Sequence, residues 1–175
     1  MVLWFIGLSG SGKTTLSTLL FDQLKPKIPN LVRLDGDVLR DVFNNDVDHT
    51  LEGRYKNAHR LSHLSKMLSD QNIHVIAAVL SIFPEWQKWN RDHIPDYAQI
   101  YMKVSQNVLY RRDTKNLYKP ARNKEIQNVV GVDIPFPEPI DSDLVLDNSQ
   151  DRTDFQEMIT PILEMNSIKR MLKCT

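Results

Sequence analysis

The chain has 175 residues, a length typical of one domain with a buried core. Its 22 basic and 22 acidic side chains give a formal net charge of zero, which argues against a protein that mainly coats nucleic acid or an anionic membrane. The single cysteine, Cys174, excludes an internal disulfide and a cysteine-based zinc site. We therefore expect one domain over residues 1–175 that binds a small molecule, and neither nucleic acid nor a membrane.

The first predicted elements are a buried strand and a helix joined by a glycine-rich turn. Val2–Ile6 is a continuous apolar run of the length expected for a strand buried on both faces. This run is too short for a signal-peptide core and has no basic leader, so we expect a cytoplasmic protein. Leucines recur at helical spacing over residues 13–24, and Pro26 and Pro29 end that helix.

The rest of the chain continues the alternation of strands and helices. Further strands are predicted at residues 31–34, 73–80, 98–104 and 144–146, and helices near 38–45, 53–69, 85–92, 107–112 and 151–172. Such alternation is typical of a parallel sheet covered on both faces, so we predict a three-layer α/β domain with a mainly parallel sheet. Residues 113–139 are polar, charged and weakly periodic, which predicts a functional lid without regular structure.

Residues 7–14 carry the clearest motif. They read Gly-Leu-Ser-Gly-Ser-Gly-Lys-Thr, which matches the phosphate-loop pattern G-x-x-x-x-G-K-[ST] at every fixed position, between a predicted strand and a predicted helix. Glycines allow backbone N–H groups to turn onto phosphates, Lys13 can reach the β- and γ-phosphates, and the Thr14 hydroxyl can ligate Mg²⁺. The motif predicts a P-loop NTPase fold that binds ATP and Mg²⁺. The predicted ATP-binding residues of this loop are Gly7, Ser9, Gly10, Ser11, Gly12, Lys13, Thr14 and Thr15.

Other P-loop classes fit the sequence less well. A regulatory GTPase needs an Asn-Lys-x-Asp guanine reader and an Asp-x-x-Gly switch, but residues 123–126 read Asn-Lys-Glu-Ile and no Asp-x-x-Gly occurs. A motor or transporter ATPase is normally longer. A small-molecule kinase therefore fits best, and an inactive P-loop binding module is the alternative that intact Lys13, Thr14 and Asp35 disfavour.

Several separate motifs resemble the adenylylsulfate kinases, which transfer the ATP γ-phosphate to the 3′-hydroxyl of adenylyl sulfate. Residues 34–40, Leu-Asp-Gly-Asp-Val-Leu-Arg, are similar to the family's Asp-Gly-Asp-Asn-x-Arg signature, with valine in place of the asparagine. Arg54, Asn57 and Arg60 fall where the family has Asp-Arg-x-x-Asn-x-x-Arg. Residues 112–122 closely match the family's lid pattern, and residues 131–135 match its Gly-Ile-Asp-x-Pro. The resemblance covers the chain from about residue 4 to about residue 146.

The resemblance implies that a small nucleotide is the acceptor and assigns roles at the acceptor site. Asp35 would accept the ribose hydroxyl proton or order Mg²⁺ with Thr14, and Asp37 is the alternative for either task. Arg40 and Arg54 would hold the anionic bridge of the acceptor, since a guanidinium fork suits phosphate oxygens. The full sets are Lys13, Asp35 and Asp37 for catalysis, Arg112 for ATP, and Asp35, Arg40, His49, Arg54, Asn57, Ser81, Lys119 and Val129 for the acceptor.

Two further properties are suggested, one by the charges at the start of the lid and one by the resemblance. Residues 111–125, at the start of the lid, carry an excess of basic side chains, which suggests closure over phosphates: Arg111, Arg112, Lys115, Lys119, Arg122 and Lys124 occur there with only Asp113 and Glu125. A homodimer is suggested by the family, although no residue demonstrates one.

The acceptor side departs from the family pattern. Family members clamp the acceptor adenine between two phenylalanines, whose positions here hold His49 and Val129. A stack between a base and an aromatic ring contributes about 1–3 kcal/mol, so the loss of both rings matters for adenine, although His49 can itself stack on a base. Residues 79–82 replace the family's Phe-Ile-Ser-Pro by Val-Leu-Ser-Ile, and Gly53 replaces the aspartate before Arg54. Two acceptors therefore stay open: adenylyl sulfate, or a cytidine nucleotide such as cytidine diphosphoramidate, used in decorating surface polysaccharide.

Two histidines and two tryptophans have simpler interpretations. His59 and His63 are spaced like metal ligands, but without a third ligand nearby they are expected on a helix surface. Trp86 and Trp89 are expected to be packing residues.

Overall fold

A computed structural model describes residues 1–152 and 154–173, so Cys174 lies outside the described residues. Five strands form one sheet: β1 (Val2–Ile6), β2 (Leu31–Asp35), β3 (His74–Val79), β4 (Tyr97–Lys103) and β5 (Leu144–Asp147). Their order in the sheet is β2-β3-β1-β4-β5, and each of these neighbouring pairs is parallel. The predicted mainly parallel sheet is confirmed.

Helices cover both faces of the sheet. They are α1 (Lys13–Leu24), α2 (Gly36–Val42), α3 (Leu51–Asp70), α4 (Pro84–His93), α5 (Gln106–Arg112), α6 (Tyr118–Arg122), α7 (Gln156–Glu164) and α8 (Asn166–Lys173). Successive side chains of a strand point to opposite faces, so β1 contributes to two cores. Leu3 and Phe5 pack with α1, α7 and α8, while Trp4 packs with Leu39 of α2 and Leu61 of α3. The predicted three-layer α/β fold is confirmed.

Two predicted segments differ from the structure. The C-terminal helix predicted over 151–172 is divided into α7 and α8, because the backbone of Met165 is extended (φ −58°, ψ 134°). It also begins later than predicted, at Gln156, whose N–H donates a hydrogen bond of 2.8 Å to the Asp154 carboxylate in the turn before the helix. Residues 113–139 contain α6, a short helix that the weak periodicity did not predict.

The His59 and His63 rings lie on the surface of α3, where they form one column of stacked rings with Trp89 and His93 of α4. Ring centroids are 4.0 Å apart for His59 and His63, 4.4 Å for His63 and Trp89, and 4.4 Å for Trp89 and His93. The rings stack on one another, and no cluster of three metal-ligating side chains occurs within residues 1–152 and 154–173. None of the helices in that part of the chain has the length and hydropathy needed to cross a membrane.

Candidate active site

A cleft of about 910 Å³ lies at the carboxyl ends of the strands. Because all the strands are parallel, the loops that follow β1, β2, β3 and β5 meet at this edge of the sheet, where ligands bind in open α/β folds. Its walls are the phosphate loop, the start of α2, the first half of α3, residues 78–83 and two stretches within 112–130 and 148–155. The cleft therefore brings together segments that are far apart in sequence.

The phosphate loop is shaped by glycines and braced from behind. Gly12 has φ +93°, and an added Cβ there would lie 2.7 Å from Nδ2 of Asn148. That Nδ2 donates a hydrogen bond of 3.0 Å to the carbonyl of Ser11, and the Asn148 side chain is almost fully buried. Glycine at position 12 is thus required both by the backbone conformation and by the close approach of Asn148.

Lys13 lies inside the loop. Its Nζ donates to the carbonyl of Leu8 at 2.8 Å and lies 3.5 Å from Oγ of Ser11. Burial and the neighbouring charge of Lys115 lower the pKa of Lys13 to about 8, against the opposing attraction of Asp37 and Asp35. The surrounding protein therefore compensates the ammonium charge poorly, which favours the binding of an anion.

Thr14 and Asp35 meet at the floor of the cleft. The Thr14 hydroxyl donates to Oδ2 of Asp35 at 3.1 Å, while Oδ1 of Asp35 accepts the N–H of Asp37 at 3.0 Å and caps α2. Arg33 approaches the same carboxylate at 3.4 Å. A hydroxyl and a carboxylate oxygen at this separation suit a hard cation such as Mg²⁺, which prefers oxygen ligands.

Asp37 has a different partner. Its carboxylate forms an ion pair with Lys115, which lies in the segment predicted to be a lid. Burial opposes ionisation, but the hydrogen bond and charge of Lys115, with the charge of Lys13, hold the pKa of Asp37 below its usual value. The contact joins residues 113–139 to α2 across the cleft.

Residues 112–118 also rest on the phosphate loop and its surroundings. The Tyr118 hydroxyl donates to the carbonyl of Ser9 at 2.8 Å. Arg112 donates to the carbonyls of Asn148 at 2.9 Å and Gln150 at 2.7 Å. The Asp113 carboxylate accepts the N–H groups of residues 117–119 and so fixes the start of α6. The described conformation is therefore one in which this segment covers the loop.

At the other end of the cleft, two arginines brace the main chain. Nη1 of Arg40 donates to the carbonyls of Val47 at 2.8 Å and Asp48 at 2.9 Å. Nε of Arg54 donates to the carbonyl of His49 at 2.8 Å, and its Nη2 donates to that of Asn128 at 2.7 Å. Both guanidinium groups thus fix the position of loops at this end of the cleft. The sequence motifs that contain Arg40 and Arg54 do not indicate these contacts.

Position 53 has room only for glycine because the preceding loop lies against it. A Cβ added there would collide with the carbonyl of Asp48, so the loop preceding α3 lies directly on the helix. Thr50 accepts the N–H of Gly53 at 3.2 Å and caps α3. The aspartate of the family pattern does not fit beneath this loop.

The two positions that hold phenylalanine in the family lie on opposite sides of Arg54. The His49 residue is exposed overall. Partial desolvation of its imidazole, with the charges of Arg40 and Arg54, lowers its pKa below the ordinary histidine value. Val129 is buried, and it packs in a small core with Leu109, Tyr118 and Ala121. Of this pair, only His49 therefore offers a ring that can stack on a base, while Val129 contributes a buried aliphatic side chain to the wall of the cleft.

Most of the predicted site residues line the cleft, and Gly7, Ser11 and Lys119 do not. The backbone N–H of Lys119 donates to the Asp113 carboxylate at 2.9 Å. Ser81 lines the cleft and accepts a hydrogen bond from Trp4 Nε1 at 3.2 Å. Nδ2 of Asn57 reaches the Gly36 carbonyl at 3.4 Å, while its Oδ1 is buried without a hydrogen-bond partner among the described residues.

Sequence reasoning missed residues at both ends of the cleft. Asn148, Arg152 and Phe155 line it beside Gly12, and residues 126–128 line it beside Arg54. Asn148 follows β5 directly, so the rule that ligands bind at the carboxyl ends of parallel strands indicates it. The others lie in irregular segments for which the sequence carries no motif.

Comparisons with known proteins agree on one family. The family model described as "Adenylylsulphate kinase" matches residues 1–147. A relative from Campylobacter jejuni, named cytidine diphosphoramidate kinase, is 40% identical over 163 residues, 93% of this chain and 94% of the relative. The adenylyl-sulfate kinase of Staphylococcus carnosus is 36% identical over 160 residues, 88% of this chain and 78% of that protein.

A solved structure agrees with the sequence comparisons. The Mycobacterium tuberculosis APS kinase in complex with AMPPNP and APS superposes with a TM-score of 0.81 at 31% identity. The match covers 94% of this chain and 97% of that one. The likeness therefore extends over the sheet, the phosphate loop and the helices around the cleft.

Proposed function

The chain belongs to the adenylylsulfate kinase family, and from this premise we propose that it transfers the γ-phosphoryl group of ATP to the ribose 3′-hydroxyl of an activated nucleotide. It is a phosphotransferase that acts on a hydroxyl group, in agreement with relatives that are named kinases. The observation that carries the proposal is the meeting of Lys13, Thr14 and Asp35 at one end of a cleft whose other end is lined by Arg54 and Asn57.

The donor end fits ATP with Mg²⁺. The phosphate loop and Lys13 would hold the β- and γ-phosphates, and the Thr14 hydroxyl would ligate the ion, which leaves Asp35 for the proton. Mg²⁺ supplies charge neutralisation between these phosphates when it is bound. Phe155 lies beside Gly12, where its ring can support the rest of the nucleotide.

Asp35 is the proposed base in the transfer step. As the bond from the ribose oxygen to phosphorus forms, the bond from phosphorus to the ADP oxygen breaks, and the hydroxyl proton passes to a carboxylate. Asp37 is paired with Lys115 of the lid, whereas Asp35 lies beside Thr14 of the phosphate loop, next to where the γ-phosphate would be held. Asp37 would then position Lys115 over the transferred group.

Residues 113–139 would act as a lid. Tyr118 and Lys115 hold this segment against the phosphate loop and α2, and Arg54 holds it against α3 through the Asn128 carbonyl, so opening of the cleft would need release of these contacts. Closure excludes water, which is necessary because water competes with the ribose hydroxyl as an acceptor.

The acceptor end favours cytidine diphosphoramidate over adenylyl sulfate. Where the family has two phenylalanine rings, this chain has one exposed ring, that of His49. The other position holds Val129, which packs in a small core with Tyr118 and Ala121. The similarity to the Campylobacter jejuni relative, at 40% over nearly the full length of both chains, supports the same choice. Adenylyl sulfate is the second candidate, because the family model and the Mycobacterium tuberculosis structure match the whole cleft region.

The test is a coupled assay of ADP release with Mg-ATP, in which cytidine diphosphoramidate and adenylyl sulfate are compared by kcat/KM. We expect saturable turnover with at least one of the two acceptors and a higher kcat/KM for the cytidine compound. The Lys13→Ala variant should show no turnover with either acceptor. Phosphorus NMR of the product should place the new phosphate on the 3′-oxygen. Absence of ADP release with both acceptors would contradict the kinase assignment, and a preference for adenylyl sulfate would contradict the choice of acceptor.

A further inference from the structure

The backbone of Asn128 is fixed at the mouth of the acceptor end of the cleft. Its N–H donates to Oδ2 of Asp133 at 2.6 Å, and the N–H of Val129 donates to Oδ1 of the same carboxylate at 2.6 Å. These hydrogen bonds hold the pKa of Asp133 below its usual value although partial burial acts in the opposite direction. The Asn128 carbonyl accepts Nη2 of Arg54 at 2.7 Å. Both backbone groups of Asn128 are thus occupied.

The opposite side of the mouth is tied to the same guanidinium. Nε of Arg54 donates to the carbonyl of His49 at 2.8 Å, so one side chain sets the distance between His49 and Asn128. Both residues line the cleft. The pair therefore faces the volume where the acceptor base would lie under the proposed function.

The carboxamide of Asn128 is available for a ligand. The residue is half-buried, and none of the hydrogen bonds in the described part of the chain involves its side-chain amide. Its φ is +65°, a conformation that asparagine adopts more readily than other non-glycine residues. A carboxamide offers one acceptor oxygen and two N–H donors, which can pair with an amino group and an adjacent ring nitrogen.

We propose that Asn128 is a specificity-determining residue whose carboxamide hydrogen-bonds the exocyclic amino group of the acceptor base. Cytosine and adenine both carry such a group beside an unprotonated ring nitrogen. The inference rests on the proposed function. In this protein the acceptor base would be recognised by the Asn128 amide opposite His49, and not by a pair of stacked rings. Asp35 then acts on the ribose hydroxyl of the acceptor, and Asn128 on its base.

The experiment pairs a change in the enzyme with a change in the acceptor. Values of kcat/KM are measured for cytidine diphosphoramidate and for its analogue in which hydrogen replaces the 4-amino group, with adenylyl sulfate and its 6-deamino analogue as the second pair. We expect the wild-type protein to prefer the amino compound by roughly fivefold to tenfold, the effect of one hydrogen bond. In Asn128→Gly, which tolerates the positive φ, this preference should disappear.

Two further variants separate a contact from a structural role. Asn128→Asp keeps an acceptor oxygen and should retain a preference for the amino compound, because the amino group can still donate. Asn72→Gly is the matched control: Asn72 also has a positive φ (+57°) but follows α3 at the far edge of the sheet, and both rates should be unchanged. An equal loss for both acceptors in Asn128→Gly would mean that only the loop was disturbed and would overturn the inference. So would a wild-type protein indifferent to the amino group, whereas failure of every acceptor would overturn the proposed function itself.

Discussion

At the residue scale, the two aspartates that follow β2 are distinguished by their partners. The sequence leaves open which of them is the base, because Asp35 and Asp37 sit in one short motif. The structure places Asp35 on Thr14 and at the N-terminus of α2, while Asp37 faces Lys115. Side-chain partners that are 78 residues away, as Lys115 is from Asp37, cannot be read from local sequence.

The replacement Asp35→Asn should remove transfer with little effect on ATP binding. An amide cannot take the hydroxyl proton, so kcat should fall by about 10²–10⁴. The dissociation constant of ATP, measured by calorimetry without Mg²⁺, should stay within a few-fold of wild type because Lys13 and the loop are intact. Asp22→Asn, on the exposed side of α1, is the control. A near-normal kcat would show that Asp37 or another group takes the proton.

The lowered pKa of Lys13 predicts how kcat/KM for ATP depends on pH. Burial, with the charge of Lys115, lowers its pKa to about 8, so the free enzyme loses this positive charge at a lower pH than an exposed lysine does. We expect kcat/KM for ATP to decline above about pH 8, while kcat persists to higher pH because bound phosphates favour the charged lysine. If Lys13→Arg retains activity, its profile should lack the decline, since guanidinium does not titrate in this range. A flat wild-type profile would contradict the assignment.

At the element scale, the phosphate loop and the lid differ in how far sequence predicts them. Strand β1, the loop and α1 follow from an apolar run, fixed glycines and leucine spacing, and their bounds agree with the structure. Helix α6 is not predicted because it is only five residues long, and its start at Tyr118 is fixed by hydrogen bonds to the Asp113 carboxylate rather than by a periodic apolar pattern. Asp133 organises the turn at Asn128 in the same way.

Asp113→Ala should loosen the lid without unfolding the domain. It removes three hydrogen bonds from backbone N–H groups at the start of α6, and loss of a helix cap costs about 0.5–2 kcal/mol. Hydrogen exchange should therefore accelerate in residues 117–124 and stay unchanged in β1 and α1, and KM for ATP should rise. Glu125→Ala, which removes only an exposed contact with Asn123, serves as the control. Unchanged exchange in residues 117–124 would contradict this role of Asp113.

At the scale of the whole molecule, the parallel sheet explains why the donor end was predicted better than the acceptor end. The donor end follows one continuous motif at the end of β1, where strand, loop and helix are fixed together. The acceptor end is assembled from the loop before α3, from α3 itself and from residues 126–130, and its shape depends on contacts such as Arg54 with Asn128. A resemblance indicated which residues had changed there, but only the fold showed that Val129 is buried and His49 is not.

The central claim, that the acceptor end has lost the two-ring clamp for adenine, is tested most directly by His49→Phe. The ratio of kcat/KM for adenylyl sulfate to that for cytidine diphosphoramidate is measured in this variant and in wild type. His49 is exposed, so the larger ring needs no repacking, and one restored stack contributes about 1–3 kcal/mol to a purine. We predict that the ratio rises at least about fivefold towards adenylyl sulfate. An unchanged ratio, or one that moves towards the cytidine compound, would contradict the account.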